Sequence, residues 1–241
     1  MVTHSGHLSQ VLAALRAAVS QPRLDRYRPA GGTDLDMIVT YFWNVALSEA
    51  LYPGLAALEV TLRSRIHAEL SMREGTEWWF RRLLEAGQLR DYGSAHVKLY
   101  NRHKTALPAG HIVAEFNFGF WTTLLSQPYH QTLWAPNRAA LLHAVFPHLP
   151  PTPNGRHVVH RRYNGLRLLR NRAMHYEPTW LGVTLDQRGV VSLADLRTEI
   201  LEAIGWVSPR VRDGVAATDR FPSVWTGKTS FEADLRTRLG I

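Results

Sequence analysis

Arg170, Asn171 and His175 fall within one short segment, LRLLRNRAMHYEP (166–178), which already carries Arg167 and Arg172. Each type has a distinct competence. A guanidinium grips phosphate oxygens with paired charge-assisted hydrogen bonds, and a carboxamide orients a group without adding charge. An imidazole exchanges protons near neutral pH. Together they suit a phosphodiester whose neighbouring hydroxyl can be deprotonated. RNA has that hydroxyl, because its 2′-OH can attack the adjacent phosphate once a base removes the proton, with no metal or other cofactor required. His175 is the candidate base, Arg170 the anion grip and Asn171 the orienting group.

The segment has to be helical for this to work. At about 100° per residue, Asn164, Arg167, Asn171 and His175 lie within roughly 80° of one another, a polar stripe. Tyr163, Leu166, Leu169 and Ala173 fall on another flank, suited to a core. Arg170 points about 140° from His175, so one helix does not bring the two together. Two copies packed about a two-fold axis would, since an isologous contact brings Arg170 of one copy toward His175 of the other and doubles the set. A homodimer with a cationic cleft is therefore expected. The same residues also fit a plain basic helix whose His175 only caps its own C-terminus.

The elements that must hold this helix are themselves helical. Leu8, Val11, Leu12, Leu15 and Val19 keep helical spacing until RPAGGTD breaks it. A second pattern runs from Asp34 to about Met72, interrupted at Tyr52–Pro53–Gly54, with Leu55, Leu58, Leu62, Ile66 and Leu70 as its stripe. Trp78 to Phe80 form an aromatic knot, and further helices are expected through 92–104, 111–126 and 133–151. Gly119, inside the fourth of these patterns, hints at close helix approach. Arg156 to Tyr176 is the helix of the candidate site, and Ser192 caps another that stops at Pro209. Only LGVTLDQRGVV (181–191) suggests strands, as a small hairpin with Gln187 to Gly189 at its tip. The expected class is all-α: an N-terminal helix and turn over 1–33, one helical domain over 34–209, and a tail over 210–241 that packs on it.

Composition narrows the function. The chain has 241 residues, 45% of them hydrophobic, enough for a sizeable core. Lys and Arg outnumber Asp and Glu by 28 to 20, a formal charge of +8 that favours polyanions. A nucleic acid or an acidic protein is the natural partner. The absence of cysteine rules out disulfides, a thiolate nucleophile and thiolate-held metals. No phosphate-cradling P-loop, H-E-x-x-H or G-x-S-x-G motif occurs. His157 and His160 are spaced to chelate, but no carboxylate one turn away completes a ligand set, so no metal is expected. Trp43, Trp121 and Trp134 fall in apolar helical patterns and are expected in the core rather than under bases. No run approaches the roughly 18–20 consecutive apolar residues of a membrane span, and the first thirty residues lack a secretory segment, which points to the cytoplasm.

RNRAMH (170–175) matches the R-x(4–6)-H signature of HEPN domains, and LRLLRNRAMHYEP resembles the LRNxxAHHEP block of Abi-like (abortive infection) proteins. The segments YFWNVALSEALYPGLAALEVTLRSRI, FNFGFWTTLL with YHQTLW, and EILEAIGWVSP are similar to other blocks of that family, so the likeness runs from about Asp34 to Pro209. It implies a HEPN-like helix bundle around an antiparallel helix pair, dimerisation, and metal-independent endoribonuclease activity used as a toxin or phage-defence effector. By matching positions, Arg170, Asn171 and His175 carry the site. Asn164, Arg167, Arg172 and Tyr176, beside them in the sequence, are the candidates for contacting RNA. Tyr176 departs from the pattern, standing where such proteins often have a second histidine. Such effectors can be held by an antitoxin, and an acidic antitoxin protein would suit the charge. The alternative within the same scaffold is a non-catalytic dimer that binds RNA or a protein partner. Such proteins are sometimes labelled membrane proteases, but the sequence shows no paired-glutamate motif on an apolar helix.

Overall fold

Helical periodicity dominates the sequence and the structure follows it. A computed structural model describes residues 4–105, 107–135, 140–152, 155–186 and 188–240. In chain order the helices are α1 (His4–Val19), α2 (Gln21–Asp25), α3 (Asp34–Glu74), α4 (Phe80–Leu83), α5 (Ala86–His103), α6 (Ala109–Glu115), α7 (Phe118–Leu124), α8 (Ala140–Val145) and α9 (Arg156–Met174). After the strands β1 (Val183–Leu185) and β2 (Gly189–Val191) come α10 (Leu193–Val207), α11 (Pro209–Thr218), α12 (Phe221–Thr226) and α13 (Lys228–Leu239). The protein is all-α apart from this antiparallel pair, whose register sets Val183 opposite Val191 and Leu185 opposite Gly189. The hairpin expected at 181–191 is present, and Gln187 at its tip lies outside the described residues.

The chain folds into two compact units, and their composition differs from the head, domain and tail division read from the sequence. One unit is made of residues 1–53, 169–197 and 218–241, the other of 54–168 and 198–217. In the first, the apolar face of α1 covers a core of Leu12, Leu24, Tyr27, Met37 and Ile38, with Tyr41, Phe42 and Trp180 packed against it. Segment 218–241 is anchored there by aromatic stacking. Trp225 lies between Phe221 and Trp43, with centroids 5.7 Å away on each side. The Trp43 indole donates to the Val224 carbonyl at 2.9 Å, and the Lys228 ammonium sits 5.0 Å from its ring centroid.

In the second unit the stripe Leu55, Leu58, Leu62, Ile66 and Leu70 is buried along its length, as the spacing predicts. The expected aromatic knot is core: Trp79 and Phe80 are fully buried and pack edge-on against each other. Trp79 donates to His67 Nδ1 at 2.9 Å, and burial holds the His67 imidazole below its ordinary titration range. Trp43, Trp121 and Trp134 are buried, as expected. Ser192 caps α10: its hydroxyl accepts from the Asp195 amide at 3.1 Å and donates to the Asp195 carboxylate at 2.7 Å.

Two expectations need correction, and a third observation stands beside the sequence reading. The YPG break is not a break, since α3 runs its full 41 residues with Pro53 inside it. A proline there lacks the N–H that the Glu49 carbonyl would receive, a local cost that long apolar flanks tolerate. The pattern through 111–126 is two helices, because Asn117 adopts an extended conformation and its side chain accepts from the Phe120 amide at 3.0 Å, starting α7 afresh. Gly119 serves that cap, for a Cβ there would meet Asn117 Oδ1 at 2.9 Å. Finally, α3 is long and apolar enough, by length and composition, to cross a membrane. Isolated polar residues such as Thr40, Asn44 and Ser48 break its consecutive apolar run without making it polar overall. Met37, Ile38, Leu47, Leu51, Leu55 and Leu58 of the same helix are core residues.

Candidate functional site at the end of helix α9

The flank of α9 expected to face the interior does so: Tyr163, Leu166, Leu169 and Ala173 are buried. Asn164, Arg167, Arg170, Asn171 and Arg172 are half-buried, and His175 and Tyr176 are exposed. Asn164 and Arg167 lie in the second unit, where Arg167 donates to Asn164 Oδ1 through Nε at 3.1 Å and Nη2 at 2.9 Å. The remaining candidates belong to the first unit. Arg170 Nη1 reaches Asn171 Oδ1 at 3.5 Å, a long contact. Arg172 pairs with Glu177 at 3.7 Å.

How α9 ends determines where His175 stands. The His175 amide donates to the Asn171 carbonyl at 2.9 Å, the last bond of the helix. The Tyr176 amide then turns back to the Ala173 carbonyl at 3.3 Å, and the Glu177 amide to the Arg172 carbonyl at 2.9 Å. This is a Schellman motif with His175 at the C-cap and Tyr176 in the left-handed position usually taken by glycine. Tyr176 has φ 56°. For a residue with a Cβ that conformation costs about 1–2 kcal/mol.

Neighbouring groups hold the strained turn in place. Arg23 donates to the carbonyls of His175 at 2.8 Å and Tyr176 at 3.0 Å, and the Tyr27 hydroxyl donates to the Tyr176 carbonyl at 2.7 Å. Burial raises the Tyr27 phenol above its ordinary range against the opposing pull of Arg23, so it stays a donor. Beyond the turn, Asn44 clamps the chain. Its Oδ1 accepts from the Thr179 amide at 2.7 Å, the Thr179 hydroxyl at 2.9 Å and the Trp180 amide at 3.1 Å, while Nδ2 donates to the Glu177 carbonyl at 3.2 Å. Asn44 is 2% exposed.

The result is an imidazole presented to solvent from a backbone fixed on both sides, with no side-chain hydrogen bond to its ring among the described residues. Arg23 and Tyr27, which help build this arrangement, carried no signal in the sequence: they lie far away along the chain and belong to no motif; Asn44 lies in one of the quoted segments, but nothing there marked its role. Tyr176 did carry one, as the departure from the two-histidine pattern. His157 is exposed and His160 half-buried, and among the described residues no group of three or more His, Asp or Glu gathers where a metal could be held. Burial, reinforced by Arg156 and Arg167, keeps the His160 imidazole below its ordinary range. No family model, curated protein or solved structure matches this chain, so its likeness to Abi-like and HEPN proteins is carried by the quoted segments alone.

Proposed function

We propose that this chain is a metal-independent endoribonuclease of the toxin or abortive-infection kind, acting in the cytoplasm at a site completed by two copies. The observation that supports it best is the exposed His175 imidazole on a rigid cap, within five residues of Arg170 and Asn171. In this reading His175 removes the proton of a ribose 2′-OH, and the 2′ oxygen bonds to the adjacent phosphorus. The bond from phosphorus to the 5′ oxygen breaks, and His175 of the second copy, arriving protonated, donates to the leaving oxygen. The products are a 2′,3′-cyclic phosphate and a 5′-hydroxyl. Arg170 offsets the charge that grows on the phosphoryl oxygens, and Asn171 holds the group in line. Asn164, Arg167, Arg172 and Tyr176 steady the strand, and the net charge of +8 draws it in.

The test is cleavage of end-labelled RNA by purified protein in excess chelator. His175→Ala and Arg170→Ala should each lower the rate by about 10²–10⁴-fold, the usual share of general acid–base groups, without altering folding or dimerisation. Cleavage by His175→Ala at the wild-type rate withdraws the assignment. RNA that is held but never cut, with affinity falling steeply as salt rises, supports the non-catalytic binding module instead.

A further inference from the structure

Beside the α9 cap, within the same unit, is a cavity of about 450 Å³. That falls within the roughly 300–1,000 Å³ of small-molecule sites. Four tyrosines line it: Tyr27 after α2, Tyr41 and Tyr52 on one stripe of α3, and Tyr176 at the cap. Two of these rings are not packed away. Tyr52 is 57% and Tyr176 69% exposed, and Val45, which lines the same cavity, is 44% exposed, an unusual concentration of large apolar surface at one opening. Tyr176 reaches this position through a backbone conformation that disfavours any residue but glycine, and Arg23 and Tyr27 hold it there.

The polar groups of the cavity suit a flat guest with hydrogen-bonding edges. Pro53, inside α3, adds an apolar ring to the wall and no N–H. The Asn44 carboxamide spends one of its two N–H bonds on Glu177. At the rim the Glu49 carboxylate and the Arg220 guanidinium pair with each other, adding one acceptor and one donor with no net charge. A flat heteroaromatic ring can lay its faces against the tyrosines while its N–H and carbonyl edges reach Asn44 and the Glu49–Arg220 pair. We infer that this cavity receives a nucleobase stacked on Tyr176 and Tyr52, supplied by a bound RNA strand or by a free nucleoside. The strand source rests on the ribonuclease reading and would place that base beside the phosphate facing His175; the nucleoside source does not depend on it.

The probes are a fully 2′-O-methylated RNA hexamer, which no 2′-hydroxyl mechanism can cut, the same hexamer with single abasic positions, and the four free nucleosides. Binding is measured by calorimetry with wild type, Tyr52→Ala, Tyr176→Ala, Tyr176→Gly and Tyr176→Phe. Base stacking predicts a loss of about 5- to 150-fold in affinity for each alanine variant and for Tyr176→Gly, with Tyr176→Phe close to wild type. One abasic position should cause a similar loss in wild type and none in Tyr176→Ala if the base comes from a strand. Nucleosides that bind alone and lose affinity in the same variants identify the free source. Tyr52→Ala lies on an exposed helical face, so it keeps the test valid if Tyr176 variants fold poorly. Wild-type affinity in all the alanine variants, or no binding of hexamer or nucleoside, overturns the inference. The two readings fail separately: tyrosine-dependent binding without cleavage of ordinary RNA removes the nuclease, and cleavage without tyrosine dependence removes the pocket.

Discussion

Replacing Asn44 by alanine should damage the first unit more than a single buried amide usually does. Its Oδ1 is the shared acceptor for three donors, the Thr179 amide and hydroxyl and the Trp180 amide, at 2.7–3.1 Å, and Thr179 is fully buried. An alanine methyl accepts none of them. A buried donor left unpaired costs about 1–3 kcal/mol. The Thr179 hydroxyl can rotate to another partner and the half-buried Trp180 amide can regain water, so the total should be about 3–5 kcal/mol. For a chain of this size that lowers the melting temperature by about 6–20 °C. Urea unfolding gives the free energy, and hydrogen exchange gives the location: the Thr179 and Trp180 amides, protected in the wild type, should exchange rapidly in the variant. A loss under about 1 kcal/mol in Asn44→Ala, with both amides still protected, would refute the clamp.

Gly93 and Gly119 should respond oppositely to alanine. A Cβ at Gly93 in α5 meets nothing within 4 Å, so Gly93→Ala should stabilise by about 0.5–1 kcal/mol, whereas at Gly119 the Asn117 cap stands at 2.9 Å and that gain should be cancelled or reversed in thermal melts. The His67 imidazole, held low by burial and accepting from Trp79, should make stability fall as pH drops below about 6.5. The unfolded chain takes up the proton first, so the contribution is intact above that pH and lost as the pH falls through the folded value. Melting curves between pH 7.5 and 5.5 should show this fall, His160 adds to it, and His67→Gln, which can still accept from Trp79, should flatten it; a flat wild-type profile contradicts the buried neutral ring. Arg23→Ala should speed hydrogen exchange at Glu177 and lower RNA cleavage while leaving the second unit's amides unchanged.

What could be read from the residue order was whatever a single face or a single turn encodes. The stripe from Leu55 to Leu70, the α1 face, the Ser192 cap and the short hairpin each depend on spacing over a few residues, and the structure has them. The interior flank of α9 was legible for the same reason. Pro53 and Asn117 were misread because local chemistry is ambiguous: a proline inside a long apolar helix is outweighed by packing, and an asparagine in an apolar run can restart a helix as easily as sit in one. The clamps on the cap were invisible, since Arg23 and Tyr27 are separated from Tyr176 by about 150 residues of chain and meet it only through tertiary folding. The composition of the two units was hidden for the same reason.

The first unit gathers pieces from three places along the chain, with the whole of residues 54–168 between the first piece and the second. During synthesis its opening helices leave the ribosome long before the segments that cover them, so they must wait, exposed, while the intervening unit is made. Arg23 and Tyr27 have no turn to clamp until residues 175–176 emerge, and Thr218 and Arg220 close the wall of the tyrosine-lined cavity only after that. A nascent chain therefore carries the motif before it carries the pocket. Under the ribonuclease reading proposed above, that delay would be a form of self-protection.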